Sequence, residues 1–353
     1  MPMRGSEPLV IFQPTCRCEY AFPWYARDSP KQYLQHRRRE CCLRFRSVTS
    51  SRSTRLEGHS VIYRQMPPLW DRAFRARFYT HWGRESAVIS ATTRRVEYPD
   101  YTQLLSIKMM TGGSEDYFVD GRRICVDDDT YLILNAGRRY ASRIDAMHPA
   151  HSFSVFFRPG LAEEVRDSVL RSTESLLADP AGGPRDSIEF DERLREHDRT
   201  VTPVLRHIRQ AVDAGVGEDG WVEEQLHFLL GRMLKLERRQ RRARELIPST
   251  KPATRRELYR RIGLGVTFIH THFREPIGLK DVARAAHLSP FHFLRTFKAL
   301  HGVTPSTYLS RKRTGAALRL IGEAKWTLTE IAELVGFGSR TTLFRHLRAS
   351  RNM

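Results

Sequence analysis

Two short stretches near the C-terminus carry side chains suited to gripping a nucleic acid. The first runs Ser289-Pro290-Phe291-His292-Phe293-Leu294-Arg295-Thr296-Phe297-Lys298, the second Ser339-Arg340-Thr341-Thr342-Leu343-Phe344-Arg345-His346-Leu347-Arg348. A guanidinium can hold guanine O6 and N7 through two parallel N–H bonds, so Arg295 and its counterpart Arg345 are the leading base-reading candidates. His292 can donate to a base or a phosphate, and Phe291 can touch a thymine methyl. Arg340 and Thr341 face outward early in the second stretch. Phosphate contacts position a protein without reading sequence. Lys298, Arg313 and Arg348 are candidates for that role, with the hydroxyls of Ser289 and Ser339.

These residues need a helix that presents them and a second that braces it. The chain supplies both, twice. Asp281-Val282-Ala283 answers to Glu330-Ile331-Ala332, and Ser289, Phe293, Arg295 and Phe297 answer to Ser339, Leu343, Arg345 and Leu347. A repeated helix, tight turn and basic helix is the pattern of a helix-turn-helix. In the first unit Val282, Ala283 and Ala286 face inward, and the small Ala283 lets the second helix cross closely. Ser289 is a natural N-cap, with Pro290 at the first helical position. Phe293 and Phe297, four apart, turn inward. That leaves Phe291, His292, Leu294, Arg295, Thr296 and Lys298 for the outer surface. In the second unit Thr327 or Thr329 caps the leading helix. Ile331, Ala332 and Val335 face inward, Gly336 and Gly338 permit the turn, Phe337 plugs it and Ser339 caps the last helix.

Between the units, Pro305 to Ile321 reads as one helix with Tyr308, Leu309, Ala316, Leu320 and Ile321 apolar. Seventeen residues make a rod of about 25 Å. With its flanking helices it can hold two recognition helices about one DNA turn, ~34 Å, apart.

Charge agrees with this reading. The 353 residues carry a formal net charge of +19, and the segment from Lys251 to Met353 holds 19 Lys/Arg against 6 Asp/Glu. A polyanionic partner, double-stranded DNA above all, is the simplest reason. No apolar run is long enough for a membrane helix and no secretory leader is recognisable, so a cytoplasmic location is expected. The five cysteines (16, 18, 41, 42 and 125) lack both the even count of a disulfide framework and the spacing of a zinc site. His148 and His151 bring no further metal ligands and read as loop histidines, so no metal or cofactor is expected. There is no H-x-H with a Glu, no nucleophile elbow and no phosphate-binding loop, and no enzymatic activity is expected.

Upstream, residues 1–60 show no sustained period and read as a poorly ordered extension. Residues 61–160 form the effector segment. From about Ala87 to Arg158 short strands recur: Val88-Ile89-Ser90, Leu104 to Ile107, a hairpin over Tyr117–Val126 turning at Asp120-Gly121, Tyr131 to Leu134, and Ser152 to Phe157. This rhythm suggests a barrel or sandwich. Residues 161–246 become helical. Leu161, Val165, Val169 and Leu170 share a face, then Val204, Leu205, Ile208 and Val212, then Leu226, Leu229, Leu230, Met233 and Leu236. A homodimer contact or packing within the chain accounts equally for these helices. A linker is expected at 247–254, with the last domain at 255–353. Its first helix carries Tyr259, Ile262, Val266, Ile269 and Phe273 inward.

The segment from about Arg255 to Arg348 resembles the DNA-binding domain of the AraC/XylS regulators. The matching residues are Ala283, Leu288-Ser289, Phe293, Phe297-Lys298, Gly302-Val303-Thr304-Pro305, Tyr308-Leu309, Arg313, Ala316, Leu320, Ile331-Ala332, Gly336-Phe337, Ser339 and Arg345. The resemblance implies about seven helices with two helix-turn-helix units, sequence-specific binding to promoter DNA, and transcription activation together with RNA polymerase. The chain departs from the pattern after Arg348. The family's second Gly-x-Thr-Pro-like segment and closing helix do not follow, and Leu347 stands where the family has Phe. Such a second unit is expected to bind more weakly, giving a degenerate regulator as the alternative. Residues 87–158 resemble, less specifically, the cupin-type effector domain often joined to such domains, through Val119-Asp120-Gly121 and Tyr131 to Gly137. That implies a small-molecule effector in a barrel, with a metal-dependent cupin enzyme as the remote alternative. The expected fold is therefore multidomain α+β: an N-terminal cupin-like β-barrel with flanking helices, then an all-α domain with two helix-turn-helix units.

Overall fold

The structure, a computed structural model, describes residues 60–170, 187–216, 219–249 and 251–351. All of these belong to the compact unit from Leu56 to Met353. The expected extension, apart from Ser60, and the loop at 179–184 lie outside the described residues.

The N-terminal part is one eight-stranded sheet. Its strands are β1 (Val61–Tyr63), β2 (Ala87–Thr102), β3 (Ser106–Thr111), β4 (Ser114–Val119), β5 (Arg122–Asp127), β6 (Thr130–Leu134), β7 (Arg139–Phe156) and β8 (Leu194–Glu196). The hydrogen-bonded order is β1-β2-β7-β3-β6-β8, and the β4–β5 hairpin attaches to β7. Among the described strands only the short β1 pairs in parallel, with β2. The hairpin turns at Asp120-Gly121, where both residues take left-handed φ of 50° and 71°, the conformation that Asp-Gly hairpins favour.

The long strands β2 and β7 decide the shape. They pair from Ala87–Phe156 to Thr102–Arg139, with register shifts after Thr93 and Tyr98. Bulges of this kind bend a strand and sharpen its twist. Beyond the bends β7 meets β3 near its C-terminal end and β4 near its N-terminal end. The expected cupin-like barrel is thus a curled but open sheet, since its path ends at β1 and β8 rather than closing. The histidines expected in a loop lie on β7, and His151 hydrogen-bonds to Ser90. Periodicity missed β1, β8 and the helix α1 (Arg72–His81) because each is short or aromatic-rich rather than cleanly alternating.

The sheet has two buried faces. Ile107, Met109, Ile133, Phe153 and Val155 pack on α2 (Leu161–Leu170), α3 (Thr202–Asp213) and α4 (Asp219–Arg244), through Leu161, Val165, Leu205, Ile208, Leu226 and Met233. Val169, expected inward, is exposed; α2 buries only the narrow stripe that meets α4. The other face, turned away from these helices, holds Met110, Tyr117, Val119, Leu132, Leu134 and Tyr140.

The C-terminal part is helical: α5 (Pro252–His272), α6 (Leu279–Ala285), α7 (Pro290–His301), α8 (Pro305–Glu323), α9 (Leu328–Leu334) and α10 (Arg340–Arg351). One core joins them, with Ile262, Val266 and Ile269 of α5 and Phe273 just beyond it packed on Ala283, Phe293, Phe297, Ala317, Ile331 and Leu343.

Candidate nucleic-acid interface

Each helix pair is braced by its own local chemistry. In the first, Gly278 N donates to the Asp281 carboxylate at 3.0 Å and starts α6. Ser289 Oγ accepts from His292 N at 3.3 Å and starts α7, and Gly302, with φ of 70°, ends it. In the second, Thr327 and Glu330 form a reciprocal capping box, with Thr327 N donating to Glu330 at 2.8 Å. This selects Thr327 over Thr329. Ser339 Oγ accepts from Thr342 N at 3.2 Å and opens α10.

The turns differ in their tolerance. His287 takes a left-handed φ of 53° where the second unit has Gly336 at 82°. A Cβ on Gly336 would stand 2.6 Å from the Arg274 carbonyl oxygen, so that glycine is required twice over. Gly338 has ordinary φ and nothing within 4 Å of a Cβ, so the turn does not depend on it. Gly265 on α5 leaves space for the Phe293 ring, which a Cβ there would meet at 2.5 Å. That packing seats α7 directly on α5.

With Phe293, Phe297 and Leu343 buried, the outer faces of α7 and α10 are fixed. Phe291, His292, Arg295 and Lys298 are exposed on α7, and Arg340, Thr341, Arg345 and Arg348 on α10. Ser289 and Ser339 are exposed as well, with their hydroxyl oxygens accepting as N-caps. Thr296, expected outside, is buried at 1% exposure because α7 turns it toward the neighbouring helices. Arg313, a candidate for phosphate, instead donates to the Phe273 and Glu275 carbonyls at 2.6 and 2.7 Å and secures the end of α5. Phe344 is 58% exposed beside Arg345.

Sequence reasoning missed the junction between helices and sheet. Lys312, 4% exposed on α8, donates to Asp127 at 3.0 Å and Asp129 at 2.8 Å, and Arg319 pairs with Asp129. Desolvation opposes ionisation of Asp127, yet the Lys312 charge beside it holds its pKa below the usual value. The Tyr308 hydroxyl donates to Glu196 of β8 at 2.9 Å. A hydrogen bond from His270 is the largest cause lowering Glu196 to about 2. Thr271 Oγ1 accepts from Cys125 N at 3.2 Å and Thr267 Oγ1 from Leu194 N at 3.2 Å.

The sheet face turned away from α2, α3 and α4, its inner face, holds a second polar cluster. Lys108 and Glu115 are each 3% exposed. Burial pushes the Lys108 ammonium down to about 7 and the Glu115 carboxyl up. The ammonium lies 3.4 Å from the Phe156 ring centroid. Glu115 accepts from Ser152 Oγ at 3.0 Å, and the buried Ser106 hydroxyl lies beside the buried Tyr140 hydroxyl. Among the described residues no group of three or more metal-binding side chains forms and no helix is long and apolar enough to cross a membrane.

A family model described as a helix-turn-helix domain matches residues 282–353. The probable transcriptional regulator LumQ of Photobacterium leiognathi is 32% identical over 81 residues, 23% of this chain and 33% of LumQ. The HTH-type transcriptional activator RhaS of Salmonella paratyphi B is 30% identical over 164 residues, 44% of this chain and 56% of RhaS. The chain therefore spans about a third to a half of the length of these relatives. Among solved structures, an apo variant of ToxT from Vibrio cholerae aligns over 76% of this chain and 94% of its own, at 12% identity and a TM-score of 0.32.

Proposed function

We propose that this chain, whose C-terminal segment is a helix-turn-helix domain of the AraC type, is a sequence-specific regulator that binds double-stranded promoter DNA. The observation that carries the reading is the equivalence of α7 and α10. Each is braced by a shorter helix and a Ser N-cap, and each exposes an arginine, Arg295 or Arg345, at the same position of the repeat. Base contacts are assigned to Phe291, His292, Arg295, Arg340, Thr341 and Arg345. Backbone contacts are assigned to Ser289, Lys298, Ser339 and Arg348. The protein acts in the cytoplasm as an activator working with RNA polymerase.

The N-terminal sheet is the effector half. Lys108, Glu115, Ser106 and Tyr140 supply polar groups to a small molecule at its inner face. An effector regulates only through unequal affinity for two arrangements of the protein, and the Lys312 and Glu196 contacts are the joint through which those arrangements would differ.

The test is footprinting of the full chain on sites selected from random duplexes. Protection of two successive major grooves on one face is expected. Absence of any selected sequence at low salt would remove the reading.

A further inference from the structure

The large cavity lies outside the inner face of the sheet. A cleft of about 1330 Å³ opens between the β4–β5 hairpin, the C-terminal end of α4 and the face of α5. Its carboxylates are largely committed: Asp120 and Glu192 to Arg138, Asp191 to Arg193 and Glu237 to Arg244. Glu189 and Glu245 also line it without a described ion pair. Against them stand Arg241 near the end of α4 and Arg255 and Arg256 at the start of α5. None of the three forms an ion pair with a described residue, and Arg255 donates only to the Ser249 carbonyl. Below them, the Arg244 guanidinium lies 5.1 Å from the Tyr259 ring centroid and leaves its buried Nε unpartnered. Phe268 lines the same cleft.

Three unpaired guanidiniums on two helices repel one another. They favour an occupant with more than one anionic centre, and guanidinium matches phosphate oxygens in paired, fork-like hydrogen bonds. Phe268, partly buried beside His272, adds an apolar surface, while the buried Tyr259 ring is already covered by the Arg193 and Arg244 guanidiniums. The volume exceeds what a single inorganic anion fills and lies above the usual range for small-molecule sites.

We infer that this cleft binds a small molecule carrying at least two linked phosphate groups, held between Arg241 on α4 and Arg255 and Arg256 on α5. The two helices are joined by the segment 245–251, which separates the sheet half from the DNA-binding helices. A bridging anion therefore fixes the angle across that segment. This site is separate from the effector position at the inner face of the sheet, and binding is read without DNA, so its failure leaves the DNA-binding reading untouched.

The experiment is calorimetric titration of the full chain with inorganic pyrophosphate, adenosine triphosphate, orthophosphate and citrate. Pyrophosphate and the triphosphate are expected to bind at one site at least tenfold more tightly than orthophosphate or citrate. The exposed pair Arg241→Ala/Arg256→Ala should weaken that binding at least tenfold with an unchanged melting temperature, and Arg241→Lys/Arg256→Lys should restore part of it. Equal affinity for citrate, or pyrophosphate binding untouched by the alanine pair, would overturn the assignment. So would an alanine pair that loses duplex affinity while the wild type shows no pyrophosphate binding; the cleft would then be a DNA phosphate contact.

Discussion

Lys312 on α8 places its ammonium 2.8 Å from Asp129 and 3.0 Å from Asp127, across the junction between the helical segment and the sheet. The lysine is 4% exposed and the two carboxylates 13% and 26%. Removing Lys312 leaves the Asp127 carboxylate buried without its ion-pair partner, while Asp129 keeps only Arg319. Lys312→Met should therefore cost about 3–5 kcal/mol, measured by urea denaturation of the full chain. Adding Asp127→Asn and Asp129→Asn should recover part of the loss. A cost within the range of an exposed pair, about 0–1 kcal/mol, would show that the junction is open in solution.

The two exposed arginines make a paired prediction. Arg295→Ala should reduce discrimination at one base pair by about 1–3 kcal/mol while leaving neighbouring positions unchanged. Arg345→Ala should do the same at a position about one helical turn away. Selection from randomised duplexes reads both. An unaltered preference profile for Arg295→Ala counts against its assignment, and a footprint confined to one groove would show that only α7 is inserted.

Gly336 and Gly338 sit two apart in one turn and should behave oppositely. Gly336→Ala combines a left-handed φ of 82° with a Cβ 2.6 Å from a carbonyl oxygen. Strained backbone costs about 1–3 kcal/mol, and the collision adds to it. Gly338→Ala meets nothing within 4 Å and should be near neutral. Thermal melts of the two variants decide the matter, and equal shifts would refute the geometry of the turn.

His301 sets a pH dependence. Its ring stacks on Phe297 at 4.4 Å, and burial, followed by the Arg193 charge, lowers its pKa to about 4. The unfolded ring titrates near 6.5, so between those values the unfolded chain carries a proton that the folded chain does not. Stability from the neutral ring is full above about pH 6.5 and falls as pH drops toward about 4. The loss should be on the order of 2–3 kcal/mol. Glu196, lowered to about 2, adds a loss at lower pH. Denaturation midpoints from pH 7 to pH 4 test this, with His301→Phe keeping the stack and flattening the upper part of the curve.

Ionic strength tests the contact set as a whole. Lys298, Arg295, Arg340, Arg345 and Arg348 are all exposed. With Lys298 and Arg348 on phosphates, log affinity should fall with log salt at a slope of about −2, and more steeply for each base-reading arginine that also neutralises a phosphate. Lys298→Ala should reduce that slope by about 1 without changing sequence preference. A salt-independent complex would contradict the charge argument.

The sequence alone determined what is local. Serine, threonine and proline at helix starts, glycine at turns, and apolar residues three and four apart placed the two helix pairs, because those signals act within a few residues of where they stand. Once Phe293, Phe297 and Leu343 turned inward, Arg295 and Arg345 had to turn out. The hairpin at Asp120-Gly121 was legible for the same reason. Tertiary structure decided what depends on distant partners. Lys312 and Asp127 lie 185 residues apart, and no local pattern links a lysine on a helix to a turn in a sheet. Arg313 looked free until the end of α5 brought two carbonyls to it. The long strands β2 and β7 curl the sheet without closing it, because their bulges and pairing register are set between strands rather than within either one.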